Sequence, residues 1–223
     1  MIQKSEGRRI QQASLAEIRE EWKAQSIMLT EEWLNDMKSR KSIFTPTSAA
    51  VTTTPRVVEG ICKLLNLESL KDGDIVAEAG PGPGPFVQAV LRRVRAKITY
   101  VAIELNPKFA NHLEDTIDDS RLVVVNENAE NIGKIVQKYG NKVQRVISSM
   151  PFSNNKEVTQ HILAQVNDLL TPEGSFLMAN FLPKSIRLVK DSFGKENCKT
   201  DYFFNSPPTP PVILTVVASK TKK

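Results

Sequence analysis

Three glycines stand at alternate positions in Gly80-Pro81-Gly82-Pro83-Gly84, two residues after an acid, Glu78. Glycine has no Cβ, so such a backbone can turn tightly and approach a ligand closely. A second acid, Glu104, ends the apolar run Tyr100-Val101-Ala102-Ile103-Glu104. A carboxylate there can accept hydrogen bonds from both hydroxyls of a ribose. A glycine loop followed by an acid is the general arrangement for holding a nucleoside-bearing cofactor. The dinucleotide fingerprint, however, spaces its glycines G-x-G-x-x-G, whereas the spacing here is G-x-G-x-G.

The elements that must position these residues follow from hydrophobic periodicity. Strands are predicted at 75–78, 98–103, 122–125, 143–148 and 175–181, with late strands at 202–204 and 212–217. Helices are predicted at 86–95, 107–117, 129–139, 157–170 and 183–193. Thr54-Pro55 supplies an N-cap and a first-turn proline for a further helix reaching about residue 65. Alternation of this kind predicts an α/β fold: a doubly wound, mainly parallel sheet covered by helices on both faces. No clear helix separates the last two strands, which predicts an antiparallel hairpin closing one edge. The glycine loop then lies outside the carboxyl end of the first core strand, where ligands bind in such sheets.

Ahead of this core, residues 1–14 read as a polar start. Residues 15–40 read as helical, with Leu15, Ile18, Trp22, Leu29, Trp33, Leu34 and Met37 recurring at spacings of three and four. Residues 42–54, rich in Ser, Thr and Ala, read as a loop or gate. The division expected is an N-terminal helical extension with its gate loop over 1–54 and a catalytic domain over 55–223.

Composition narrows the function classes. With 223 residues, 40% hydrophobic and 25% charged, the chain has room for one α/β domain and its extension. Two cysteines, Cys62 and Cys198, and two histidines, His112 and His161, stand in no metal-ligand spacing, so no metal site is expected. No secretory leader or membrane span is expected, because the start lacks an apolar core and the uncharged stretch 203–219 carries four prolines. A cytoplasmic protein is the expectation. The net charge of +5, with clusters at Arg8-Arg9, Lys38-Ser39-Arg40-Lys41, Arg92-Arg93 and Lys220-Thr221-Lys222-Lys223, suits an acidic partner such as RNA, DNA or anionic lipid. It equally suits a solvated surface.

The loop with its preceding acid resembles motif I of class I methyltransferases that use S-adenosylmethionine. That resemblance implies the seven-stranded Rossmann-like fold. It also implies that Glu78, Gly80, Gly82 and Gly84 line the methionine side of the cofactor and that Glu104 holds the ribose. The corresponding site at the third strand end, Asn126-Glu127-Asn128-Ala129, would place Asn128 and the Ala129 amide at the adenine. Asn128 equally suits a helix N-cap. Ser149-Met150-Pro151-Phe152 after the fourth strand resembles the (Asp/Asn/Ser)-x-Pro-(Tyr/Phe) motif of amino-directed methyltransferases. There a side-chain oxygen and a proline-fixed carbonyl orient the amine, and an aromatic face stabilises the cationic product. Ser149 is the expected orienting group and Phe152 the expected aromatic wall. No proton acceptor is evident beyond Tyr202.

Residues 43–219, with Asn205-Ser206-Pro207-Pro208 before the last strand, resemble bacterial phosphatidylethanolamine N-methyltransferases and related phospholipid or ornithine-lipid N-methyltransferases. The resemblance implies a lipid head-group amine as methyl acceptor. It also implies peripheral contact of the N-terminal helices with an anionic membrane surface, unless those helices act as a lid. The sequence departs from the family at Pro83, where a threonine is usual, and at Ala179-Asn180-Phe181-Leu182, where a Thr-Tyr pair is usual. An RNA adenine N6-methyltransferase, a methyltransferase for a small amine or protein lysine, and a non-catalytic cofactor-binding module are the alternatives.

Overall fold

The computed structural model describes residues 55–150, 152, 155–180, 183–204 and 212–220. The expected N-terminal extension, residues 1–54, lies outside the described residues. In chain order the core consists of α1 (Pro55–Leu64), β1 (Ile75–Ala79), α2 (Pro85–Arg93), β2 (Thr99–Glu104), α3 (Pro107–Thr116) and β3 (Leu122–Asn126). It continues with α4 (Ile132–Gln137), β4 (Val143–Ser148), α5 (Lys156–Leu169), β5 (Leu170–Asn180), α6 (Pro183–Phe193), β6 (Cys198–Phe204) and β7 (Val212–Ser219).

These strands form one seven-stranded sheet in the order β3-β2-β1-β4-β5-β7-β6. The pairs from β3 to β5 are parallel, with Ala79 opposite Ile103 on one side and Ser148 on the other. Strand β7 pairs antiparallel with both β5 and β6, so the hairpin read from the sequence closes the sheet edge with β6 outermost. The doubly wound α/β expectation holds.

Central position explains why all five residues of β1 are buried. Ile75, Ala77 and Ala79 enter one apolar layer with Ile132 of α4, Leu163 and Val166 of α5, and Val189 and Phe193 of α6. Val76 enters the opposite layer with Val58 and Ile61 of α1, Phe86 and Val90 of α2, and Leu113 of α3. A buried cation, Arg145 of β4, secures the turn after α1 by donating to the carbonyls of Leu65 and Asn66 and to Ser69 Oγ.

Two strands depart from expectation. Strand β5 starts at Leu170, directly after α5, because fully buried Leu170 pairs with Val143. Thr171-Pro172-Glu173-Gly174, which has turn-like composition, is an irregularity within that pairing, which resumes at Arg145 opposite Ser175. Strand β6 reaches back to Cys198, since Cys198 to Asp201 pair with Ala218 to Thr215 of β7. The polar stretch Lys199-Thr200-Asp201 carries no strand period of its own.

Candidate functional site

The loop after β1 uses its glycines for three different reasons. All three have left-handed backbones, with φ of 71° at Gly80, 55° at Gly82 and 84° at Gly84, a region L side chains enter at a cost of about 1–2 kcal/mol. A Cβ on Gly80 would stand 2.7 Å from Met150 Cγ. A Cβ on Gly84 would run into the Leu113 and Ile117 side chains. A Cβ on Gly82 would meet no described atom within 4 Å, so the loop faces open space there. Gly84 caps α2 and Pro85 occupies its first turn, which fixes the turn from strand to helix.

The acid one strand away touches this loop directly. Glu104 Oε2 accepts from Gly82 N–H at 2.9 Å and Oε1 accepts from Asn106 N–H at 2.8 Å. Burial pushes the carboxyl up while these backbone donors pull it down. Each carboxylate oxygen keeps a further lone pair, so the group can still accept from a diol. The next strand end is tied on in turn. Asn126 Nδ2 donates to Glu104 O at 2.7 Å and Glu127 N–H donates to the same carbonyl at 3.1 Å.

Asn128 is an N-cap, as its composition allowed. Its Oδ1 accepts from Glu130 N–H at 3.0 Å and its Nδ2 donates to Glu130 Oε1 at 3.0 Å, heading the short turn Ala129–Asn131. Ala129 is buried beside it.

At the end of β4, Ser149 Oγ donates to Gly80 O at 3.1 Å, joining the fourth motif to the first. Phe152, the residue expected at the acceptor, follows two residues after Met150. Its ring is 3% exposed and packs in the core, 6.2 Å from the Phe176 ring, which itself stacks on Phe193 at 5.7 Å. Burial of an aromatic surface among other rings is favourable, so these contacts anchor the loop that carries Phe152. Its carbonyl accepts from Thr159 Oγ1 of α5 at 2.6 Å. Tyr202, 60% exposed on the outermost strand, lies three strands from β4, roughly 14 Å away at about 4.8 Å per strand. It is too distant to share a proton with Ser149.

The structure also shows what the sequence reading missed. Glu78 is fully buried, and its Oε2 accepts from the Tyr100 hydroxyl at 2.6 Å. Its Oε1 has no hydrogen-bond partner among the described residues. Desolvation pushes this carboxyl up to about 8, against the pull of the Tyr100 hydrogen bond. The register Val76 opposite Tyr100 puts the two side chains on one face two residues apart, and that parity was the signal available. Thr159 offered no comparable signal.

Four strand ends are thus joined into one surface: Ser149 to Gly80, Gly82 to Glu104, and Glu104 to Asn126. A model of the FtsJ-like methyltransferase family matches residues 57–204, which include every one of these groups. The chain belongs to the FtsJ-like methyltransferase family. It contains a methyltransferase domain whose methyl donor is S-adenosylmethionine. Over 112 residues, 49% of this chain, it is 27% identical to an ornithine lipid N-methyltransferase of Singulisphaera acidiphila. The match spans 58% of that relative's length. Among solved structures, a precorrin-6y C5,15-methyltransferase of Geobacter metallireducens superposes with a TM-score of 0.61 at 13% identity, covering 78% of this chain and 93% of that one. An rRNA methylase of Streptococcus thermophilus superposes with a TM-score of 0.55 at 16% identity, covering 75% of this chain and 97% of that one. At such identities the two structures establish the shared fold.

The residues present fit the donor. Open space at Gly82 and lone pairs left on Glu104 complement, in turn, a close-lying ligand and a ribose diol. Among the described residues, no helix is long and apolar enough to cross a membrane.

Proposed function

We propose that this chain methylates an amine nitrogen, and that the amine belongs to a phospholipid or aminolipid head group. The observation that carries the reading is the hydrogen bond from Ser149 Oγ to Gly80 O. It brings the Ser149-Met150-Pro151-Phe152 motif of amino-directed enzymes against the loop that holds the donor. The relative named for ornithine lipid supports the head-group assignment.

When bound, S-adenosylmethionine would supply an electrophilic methyl group for the lone pair of a neutral amine, its sulfur leaving as the thioether of S-adenosylhomocysteine. The chain's own residues bind and align. Gly80, Gly82 and Gly84 give the backbone its close approach, Glu104 accepts from the ribose hydroxyls, and Asn128 and the Ala129 amide meet the adenine. Glu78 faces the amino acid end. Ser149 orients the acceptor amine through its free lone pairs while its proton stays on Gly80 O. Phe152 and Thr159 hold the acceptor loop in place from below, and alignment of this kind can supply several kcal/mol of the barrier reduction. Residues 15–41, outside the described residues, carry Trp22, Trp33 and the basic run Lys38-Ser39-Arg40-Lys41, which suit an anionic membrane surface.

Radiolabelled methyl transfer tests the assignment. The full chain is incubated with labelled S-adenosylmethionine and, in separate reactions, vesicles containing phosphatidylethanolamine or ornithine lipid, total RNA, or a protein extract. Label in the lipid fraction is expected. Label confined to RNA or protein overturns the lipid assignment and leaves the donor site intact.

A further inference from the structure

Helix α1 contains a glycine that its own backbone does not require. Gly60 lies in the helix interior without a positive φ, and glycine weakens a helix there relative to alanine. What calls for it is a ring from the far edge of the sheet. A Cβ on Gly60 would stand 2.5 Å from Phe203 Cε1 and 2.9 Å from Phe203 Cδ1. The half-buried Phe203 of β6 thus rests directly on the backbone of α1.

Strand register shows where this contact lies. Ser148, the last residue of β4, is level with Met178, Val216 and, on the outermost strand, Thr200. Phe203 is three residues further along β6, roughly 10 Å past the level of Ser148. Both β5 and β6 run antiparallel to β7, so this overhang rises on the carboxyl edge, where the loop carrying Ser149 emerges. Helix α1 runs toward the same edge. Arg145 holds the Leu65 and Asn66 carbonyls beside the middle of β4, and Gly60 is about 7.5 Å nearer the edge along the helix. Under α1, Ile147 of β4 and Leu177 and Ala179 of β5 share its apolar layer. The helix therefore spans from α2 to β6 across the strands that end at the acceptor motif. The donor cradle lies on the other side of β4, at the ends of β1, β2 and β3.

Resting on the amine-methylation reading above, we propose that Phe203 is a positioning residue for the methyl acceptor. Seated on Gly60, its ring sets the spacing between α1 and the β6 overhang, the two elements that flank the acceptor side of the site. It acts through that spacing and needs no contact with a reacting atom. A methyl group at position 60 would have to drive ring and helix apart by about 1 Å to reach ordinary carbon contact. A misplacement of that size can lower a rate about 100-fold.

Initial rates test this, with the full chain, labelled S-adenosylmethionine and varied phosphatidylethanolamine vesicles, beside calorimetric titration with S-adenosylhomocysteine. Gly60→Ala is expected to lower acceptor kcat/KM at least about tenfold, with S-adenosylhomocysteine affinity unchanged. Phe203→Val removes the ring carbons, keeps a strand-forming residue and should also lower acceptor kcat/KM. The double variant decides: with no ring to strike, Gly60→Ala adds no further loss to Phe203→Val, so the two effects are not additive. A glycine with no such partner would give the same change in both backgrounds. Unchanged acceptor kinetics in Gly60→Ala overturn the inference, as do equal losses in the two backgrounds or a fall in S-adenosylhomocysteine affinity that matches the acceptor loss. If Phe203→Val does not fold by circular dichroism, Gly60→Ala alone decides through the same two measurements. If the natural chain labels RNA or protein instead of lipid, that acceptor becomes the varied substrate: the lipid assignment falls and the comparison of variants stands. Absence of methyl transfer by the natural chain to any of these overturns the amine reading, and this inference with it.

Discussion

The buried acid Glu78 makes a quantitative prediction about stability. In the unfolded chain Glu78 ionises near the ordinary 4.5, whereas in the fold burial raises this to about 8. Between those values the folded chain holds one proton more than the unfolded chain, so raising the pH favours unfolding. The loss is absent below about 4.5, grows by about 1.4 kcal/mol per pH unit, and is complete above about 8, where it reaches about 5 kcal/mol at most. Glu78→Gln has the same shape and cannot ionise. Its amide nitrogen finds no acceptor, a constant cost of about 1–3 kcal/mol. Urea unfolding followed by far-UV circular dichroism between pH 5 and pH 9, without ligand, measures both proteins. The stability of the natural protein minus that of the variant should fall steadily from pH 5 to pH 8 and then level. All other titrating groups are common to the two proteins and cancel in the difference. A difference constant to within about 0.5 kcal/mol across that range would refute the reasoning, because it would mean that Glu78 titrates alike in the folded and unfolded chains.

Further substitutions separate steric from positional roles. Gly84→Ala puts a methyl group on a left-handed backbone and against Leu113 and Ile117, so it should cost about 2–4 kcal/mol in urea unfolding. Gly73→Ala, also left-handed but with nothing within 4 Å, should cost only about 1–2 kcal/mol. Thr159→Val leaves the Phe152 carbonyl without its donor. Initial-rate kinetics should show a lower kcat or a higher acceptor KM at unchanged S-adenosylhomocysteine affinity, with Thr159→Ser restoring both; a matching fall in cofactor affinity would count against a role in the acceptor loop.

Much of this site was legible in the sequence because its demands are local. The glycine loop has to take positive φ at Gly80, Gly82 and Gly84, and only glycine does so freely. Its placement after an apolar strand, with Glu104 ending the next one, was enough to predict their proximity. The bounds of β4 and α6 were read as they stand, since apolar period and punctuation agree there. Asn128 could be read as cap or ligand, and the cap is now seen. The packing of Phe152 against Phe176 was not legible, because Phe176 lies in a later element and carries no mark of that contact. The Glu78–Tyr100 pair depends on the register of two strands, which a single strand's pattern does not contain. The start of β5 was hidden for a similar reason: the tertiary pairing of Leu170 with Val143 overrides the turn composition of Thr171 to Gly174.

The cradle formed by the glycine loop and Glu104 is the claim on which the rest depends. Equilibrium binding of S-adenosylhomocysteine to the natural chain, Gly82→Asn and Glu104→Ala tests it most directly. Asparagine tolerates the left-handed backbone at position 82, and its side chain would extend into the open space beside the loop. The account predicts that both variants remain folded by circular dichroism and lose at least about tenfold in affinity, about 1.4 kcal/mol. Affinity equal to that of the natural chain in both variants would contradict it.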